Sequence, residues 1–226
     1  NCWPSVDFDI GGINNFLSPF LPAGFYYKTF MWPKSFWYKV YEPVIRKAAG
    51  LGVAPLKPDP DRYEHKFEYC DILVAGSGPS GLASALSAAK NGARVILAED
   101  KHRFGGSLLT DEVTIGNKNG KDWTDEVIAK LKSMPNVIVK NRSQVFGYYD
   151  HNMMVMFERT KDHIEKPNEF IPRQRLWYIR AKEVIVSTGS IERPLVFGNN
   201  DRPGVMLSSA AKEYMRVYGV IVGKKP

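Results

Sequence analysis

The sequence predicts an α/β fold built on a parallel sheet, from three observations. An apolar run, Ile72–Ala75, meets a turn carrying Gly76, Gly78 and Gly81, and a helical pattern follows through Lys90. A second short apolar run, Val95–Ala98, ends on the acid Glu99. A third, Val184–Val186, leads into Thr188-Gly189. Short β-branched runs that alternate with helical stretches are how buried parallel strands joined by crossover helices read.

Each part of residues 71–100 has a mechanical job. Gly76 permits the tight turn out of the strand, Gly78 lets a pyrophosphate approach the backbone, and Gly81 allows the helix to pack closely on the strand. The helix start at Pro79-Ser80 presents free N–H groups and a positive dipole end to phosphates. Glu99 lies 18 residues past Gly81, where an acid accepts a ribose hydroxyl hydrogen bond. A βαβ unit whose glycines serve packing alone does not account for that acid. A carboxylate there also repels a 2′-phosphate, which favours NAD or FAD over NADP, although Lys101 and Arg103 stand close enough in sequence to pair one. Residues 69–226 therefore read as a Rossmann-like dinucleotide-binding domain.

Two further signals support it. Gly105-Gly106-Ser107 follows the second strand, where small residues let a loop pass beside a cofactor. In Glu183–Pro194 the Thr188-Gly189 pair turns under a nucleotide. The ordered trio of glycine motif with acid, Gly-Gly and Thr-Gly is the pattern of the glutathione and thioredoxin reductase type. A helix is expected at Trp123–Lys132, a strand at Val137–Val139, and alternation over 143–159 and 174–181 predicts a small β-meander insert within about 137–181. Ser208–Tyr218 reads as a further helix.

Residues 1–68 differ. They hold 13 of the chain's 28 aromatic residues by Tyr41, and prolines recur at 4, 19, 22, 33, 43, 55, 58 and 60. That proline density excludes long helices and central strands. The segment reads as an extended aromatic-rich N-terminal arm with one short helix at 34–49, and its aromatics need a surface to cover, on this chain or on another subunit.

Composition excludes several classes. The 226 residues contain no apolar run long enough for a membrane span. Cys2 and Cys70 form no C-x-x-C, so no redox disulfide of the thioredoxin reductase kind and no cysteine-ligated cluster is expected, and sparse cysteine suits the cytoplasm. The net charge of +7 is spread along the chain without a dense basic block, so nucleic acid is not an expected partner. The four histidines show no metal-ligand spacing, no G-x-S-x-G elbow is present, and Asp150-His151 reads as turn chemistry.

The particular words carry more. LSPFLPAGFYYKTFMWP (17–33), FWYKVYEPVIRKAAGLG (36–52), DPDRYEHKF (59–67), the 75–100 fingerprint, GGSLL, VFGYYDHNMM (145–154) and RPGVMLSSAAKEYMRVYGV (202–220) together resemble the alpha subunits of heterotetrameric sarcosine oxidases. The resemblance covers essentially the whole chain, which is similar to an internal piece of that longer subunit, beginning in the tail of a ferredoxin-like region. It implies NAD at this fingerprint, with FAD and FMN mainly in the beta subunit and its interface, and tetrahydrofolate in the part beyond residue 226. It implies beta, gamma and delta subunits as partners, and no catalytic residue in this stretch. By motif match the NAD contacts are Gly76, Gly78, Ser80, Gly81, Glu99, Asp100, Lys101, Gly106, Ser107, Val145, Thr188 and Gly189. Where the family pattern commonly has Ala and Arg, this chain has Ser80 and Lys101, so a bidentate fork is lost at 101. The alternatives are the homologous subunit of an N-methylglutamate or opine dehydrogenase, or a non-catalytic NAD-binding scaffold.

Overall fold

The computed structural model describes residues 4–5, 7–20, 24, 28 and 30–223. The expectations for Cys2, Trp3, Phe25, Tyr26 and Tyr27 lie outside them. The chain divides into two units, Asn1–Asp59 and Pro60–Pro226.

Among its described residues the first unit has short helical pieces, as its prolines dictate. A 3₁₀ turn at Ile10–Ile13 is capped by Asp9, whose carboxylate accepts from the Gly11 amide at 2.9 Å, and runs into α1 (Asn14–Leu17). The helix expected at 34–49 is instead three consecutive pieces: a 3₁₀ turn at Lys34–Phe36, a π turn at Trp37–Tyr41 and α2 (Glu42–Ala49). Pro43 lacks the N–H that would bond back one turn, so the hydrogen-bond spacing changes just before it. Gly50 ends α2 in the left-handed conformation at φ 70°. Phe30 and Phe36 pack against Tyr41, whose hydroxyl donates to the Trp32 carbonyl at 3.0 Å. No described residue of this unit is buried, and Phe16, Phe20, Trp32 and Tyr38 are among its exposed rings.

The second unit carries the α/β fold that the sequence predicts. Its elements are β1 (Tyr63–Ala75), α3 (Pro79–Lys90), β2 (Val95–Ala98), β3 (Thr114–Ile115), β4 (Lys118–Asn119), α4 (Gly120–Ser133), β5 (Val137–Lys140), β6 (Ser143–Tyr149), β7 (Met153–Arg159), β8 (Gln174–Val186) and α5 (Ser208–Tyr218). Six strands form one sheet in the order β5-β2-β1-β8-β7-β6, and β3-β4 form a small hairpin. The β5, β2, β1 and β8 neighbours run parallel, whereas β7 and β6 are antiparallel additions.

The period of two along the strands decides what covers each face. Val74, Val95 and Leu97 point to the side packed by Leu82, Ala85 and Ala89 of α3 and Val127, Ile128 and Leu131 of α4. Leu73, Ile96 and Ala98 point the other way, onto Met154, Met156, Trp177 and Ile179 of the insert. Each large apolar side chain so buried contributes about 1.5–3 kcal/mol. Asn119 caps α4 by accepting from the Asp122 amide at 2.9 Å.

Three boundaries differ from the sequence pattern. The strands expected at 174–181 and Val184–Val186 are one continuous strand, β8, which pairs with β1 along its whole length. The first strand begins at Tyr63, well before the apolar run, because its leading half alternates exposed Tyr63, His65 and Phe67 with half-buried Glu64, Lys66 and Glu68. That half pairs with the leading half of β8, and Phe67 stacks on Tyr178 at 5.1 Å between ring centres. Val137–Lys140 belongs to the parallel sheet beside β2, so the antiparallel insert proper starts at Ser143. The turn at Asp150–Asn152 is turn chemistry as expected. His151 (φ 59°) and Asn152 (φ 51°) are both left-handed, and the Asn152 amide donates to the Lys182 carbonyl at 2.8 Å.

Cys70 is fully buried, and burial, followed by the charges of Asp71 and Glu68, pushes its thiol up to about 12. The Cys70-containing peptide of the folded protein should therefore stay unlabelled by iodoacetamide at mildly alkaline pH and become labelled after denaturation, as read by mass mapping.

Candidate dinucleotide-binding site

The three glycines of the first turn are required for three different reasons. Gly76 has φ +100°, and a Cβ there would lie 2.3 Å from the Ser187 carbonyl oxygen. A Cβ on Gly81 would lie 2.0 Å from the Gly76 carbonyl oxygen. Gly78 is extended and a Cβ there would meet nothing within 4 Å. Its smallness therefore serves no packing within the protein and leaves an open cradle. Gly78 is also the N-cap of α3 and supplies no side-chain cap, with Pro79 and the exposed Ser80 opening the helix. Uncapped first-turn amides beside bare backbone suit a pyrophosphate.

Glu99 sits at the end of β2 with 6% of its surface exposed. Its carboxylate accepts from the Ser77 amide at 2.9 Å, the Ser77 hydroxyl at 2.5 Å and the Lys101 amide at 3.0 Å. The sequence assigns this acid to a ribose and does not single out Ser77, a fully buried residue inside the glycine motif. Burial, then the neighbouring Asp100 carboxyl, raises the Glu99 pKa against the lowering by Ser77 and the Lys101 amide.

The Gly-Gly segment joins the same node. The Gly105 amide donates to both the carbonyl and the hydroxyl oxygen of Ser77, at 3.1 and 3.2 Å. Gly106, at φ +55°, would bring a Cβ to 3.0 Å from the Gly78 Cα, and exposed Ser107 follows in a 3₁₀ turn. On the other side the Ser187 amide donates to the Ala75 carbonyl at 2.7 Å, which places Thr188 and Gly189, both exposed, just past the glycine turn. The Ser143 amide donates to the Glu99 carbonyl at 2.7 Å, so β6 leaves the end of β2 with half-buried Val145 two residues on, packed against the insert-side core. Asp100 is exposed, and its carbonyl accepts from Arg159 at 2.6 Å. The structure thus gathers the motif residues around the carboxyl ends of β1, β2 and β8, where ligands of open α/β sheets bind.

Lys101 has a partner that sequence spacing could not show. Its ammonium meets both Glu213 carboxylate oxygens at 2.8 Å. The same helix, α5, is tied to the loop after the Gly-Gly turn by Lys212–Asp111 at 3.0 Å and Arg216–Glu112 at 2.5 Å. A cavity of about 350 Å³ lies among Thr110–Glu112, Lys212, Met215 and Arg216, away from the glycine turn. Among the described residues no cluster could hold a metal ion and no helix is long and apolar enough to cross a membrane.

The glycines should separate by measurement. Gly81→Ala should lower the melting temperature clearly, because backbone must move, whereas Gly78→Ala should leave it within about a degree, consistent with a small surface effect. Glu99 gives a pH signature. A carboxyl whose folded pKa is raised contributes stability at low pH that is lost as pH rises through the raised value. The wild-type stability minus that of Glu99→Gln, followed by thermal melts from acid to neutral pH, should therefore fall with rising pH.

Residues 71–157 match the family model for FAD dependent oxidoreductases. The sarcosine oxidase subunit alpha of Rhizobium meliloti is 53% identical over all 226 residues, which make up 23% of that relative. The corresponding subunit of Corynebacterium sp. (strain P-1) is 40% identical over 78% of this chain and 18% of the relative. Among solved structures, L-proline dehydrogenase from P. horikoshii matches with a TM-score of 0.58 and 26% identity, covering 71% of this chain and 31% of that one. The chain thus spans about a quarter or less of the length of these curated relatives. It belongs, over its full length, to the family of sarcosine oxidase alpha subunits, and its second unit has a Rossmann-type α/β fold.

Proposed function

We propose that this chain is the NAD-holding part of the alpha subunit of a tetrameric sarcosine oxidase. The observation that carries the reading is the open cradle at Gly78, set at an uncapped helix start beside a buried acid. The pyrophosphate lies over Gly76–Gly81 and the Ser80 amide. Glu99, Asp100 and Lys101 border the adenosine ribose, Gly106, Ser107 and Val145 line the groove, and Thr188-Gly189 closes it from the β8 side. Glu99 uses the one acceptor site that its three protein donors leave. The full complex demethylates sarcosine oxidatively to glycine, passing electrons through FAD and FMN to oxygen and the one-carbon unit to tetrahydrofolate. This chain binds and orients a dinucleotide and contributes surface to beta, gamma and delta partners, and the oxidation itself occurs outside it, in the cytoplasm.

A second reading puts FAD at the same turn, and the match of residues 71–157 to an FAD-dependent family favours it. The two separate on one measurement. Mass spectrometry of the nucleotide released by denaturing the purified protein should find NAD, and FAD as the sole stoichiometric nucleotide from this subunit would replace the first reading with the second. The isolated subunit should turn over no sarcosine, and activity without a partner subunit would refute the assignment of roles.

A further inference from the structure

The exit of β2 gathers three cations, more than an uncharged ribose hydroxyl requires. Lys101 and Arg103 follow β2, and Arg142 lies in the turn between β5 and β6. The backbone binds the rim together, since the Arg142 amide donates to the Lys101 carbonyl at 3.0 Å. Three cations at the strand end suit a phosphate dianion, and a 2′-phosphate falls at this place in dinucleotide-binding domains.

Three carboxylates counter them: Glu99 and Asp100 at the strand end itself, and Glu213 from α5. Glu213 holds Lys101 with both oxygens at 2.8 Å, and does so from a helix whose position is fixed by other contacts. Lys212 and Arg216 pair with Asp111 and Glu112 on either side of it. At the helix start Glu192 accepts from the Ser208 hydroxyl at 2.9 Å and the Ser209 amide at 2.8 Å. Hydrogen bonds from Ser209 and Ser208 hold the Glu192 carboxyl down at about 2. Glu213 therefore does not need its own ion pair to stay in place.

We propose that Glu213 is a specificity-determining residue: by engaging Lys101 and adding negative charge at the β2 exit, it makes the site reject a dinucleotide that bears a 2′-phosphate. The inference rests on the dinucleotide reading above. A phosphate dianion entering the rim meets a carboxylate and finds its nearest cation already paired. A free 2′-hydroxyl meets neither penalty.

The test uses the intact subunit in its complex, stripped of nucleotide, with NAD and NADP affinities measured by calorimetry. Wild type should bind NAD more tightly than NADP. Glu213→Gln should strengthen NADP binding by up to about fivefold, the scale of a partly exposed charge pair, and leave NAD within about twofold. The NAD arm doubles as the folding control. Adding Lys101→Met to Glu213→Gln should cancel the gain for NADP. Unchanged NADP affinity in Glu213→Gln, or equal shifts for both nucleotides, would overturn the proposal while sparing the dinucleotide reading. Gly78→Val tests that reading separately: if wild type binds neither nucleotide, or the variant binds NAD as well as wild type does, the reading fails and the specificity proposal falls with it.

Discussion

The carboxylate of Glu99 on Ser77 is the contact that the rest of the site depends on. It joins the turn after β1 to the end of β2, and Ser77 in turn receives the amide of the Gly-Gly segment. The buried pair thus ties the turn after β1 to the loop after β2, alongside the backbone bond from the Gly105 amide to the Ser77 carbonyl. A buried carboxylate is costly unless its oxygens are satisfied, and here three donors satisfy it. Hydrogen bonds to a charged group are worth about 1.5–3 kcal/mol each. The acid therefore serves architecture in its own right.

The glycine fingerprint is legible in the sequence because backbone constraints leave few residue choices. Gly76 must take a positive φ and Gly81 must tolerate a carbonyl in contact, so each is announced by its type and spacing. The parallel strands are legible because both faces are covered, leaving short apolar runs. Ser77 is not, since it occupies a position the motif leaves open and its meaning depends on a side chain 22 residues away. The leading half of β1 is hidden because its exposed face is largely aromatic and its other face is charged, a pattern shared with the arm before it. The single helix expected at 34–49 fragments for a reason visible only in hydrogen-bond spacing around Pro43.

The docking of α5 is the least legible feature. Its length and limits follow from periodicity, and Gly219 ends it in the left-handed conformation. What it packs against follows from pairings such as Lys101–Glu213 and Lys212–Asp111, more than 100 residues apart in sequence. Charges on a helix face are normally solvated, and nothing in their spacing tells a solvated face from a paired one. Here both signs are matched across the contact, with Lys212 and Arg216 on acids and Glu213 between them on a base. Mismatched placement would juxtapose like charges, so the pattern fixes the register of the helix even where each pair adds little stability.

The insert curls the sheet on itself. Lys140 on β5, one edge of the sheet, reaches Glu158 on β7 near the opposite edge at 2.9 Å. Such a contact is possible only if the strand twist brings the two ends of the sheet round to face each other. Glu158 is buried and also accepts from the Trp177 indole at 2.7 Å, with Arg175 at 3.7 Å. Lys66 and Lys140 sit over the same indole ring at 5.3 and 5.1 Å from its centre. The buried acid is thus compensated from two strands, with Lys140 on β5 and Trp177 and Arg175 on β8, and removing either Lys140 or Trp177 would leave it short of partners in a low-dielectric interior. Close by, the Arg159 amide donates to the Arg142 carbonyl and the Ser143 amide to that of Glu99. The curl therefore carries β6 up to the end of β2, where the Ser143 amide holds the Glu99 backbone while Ser77 holds its carboxylate.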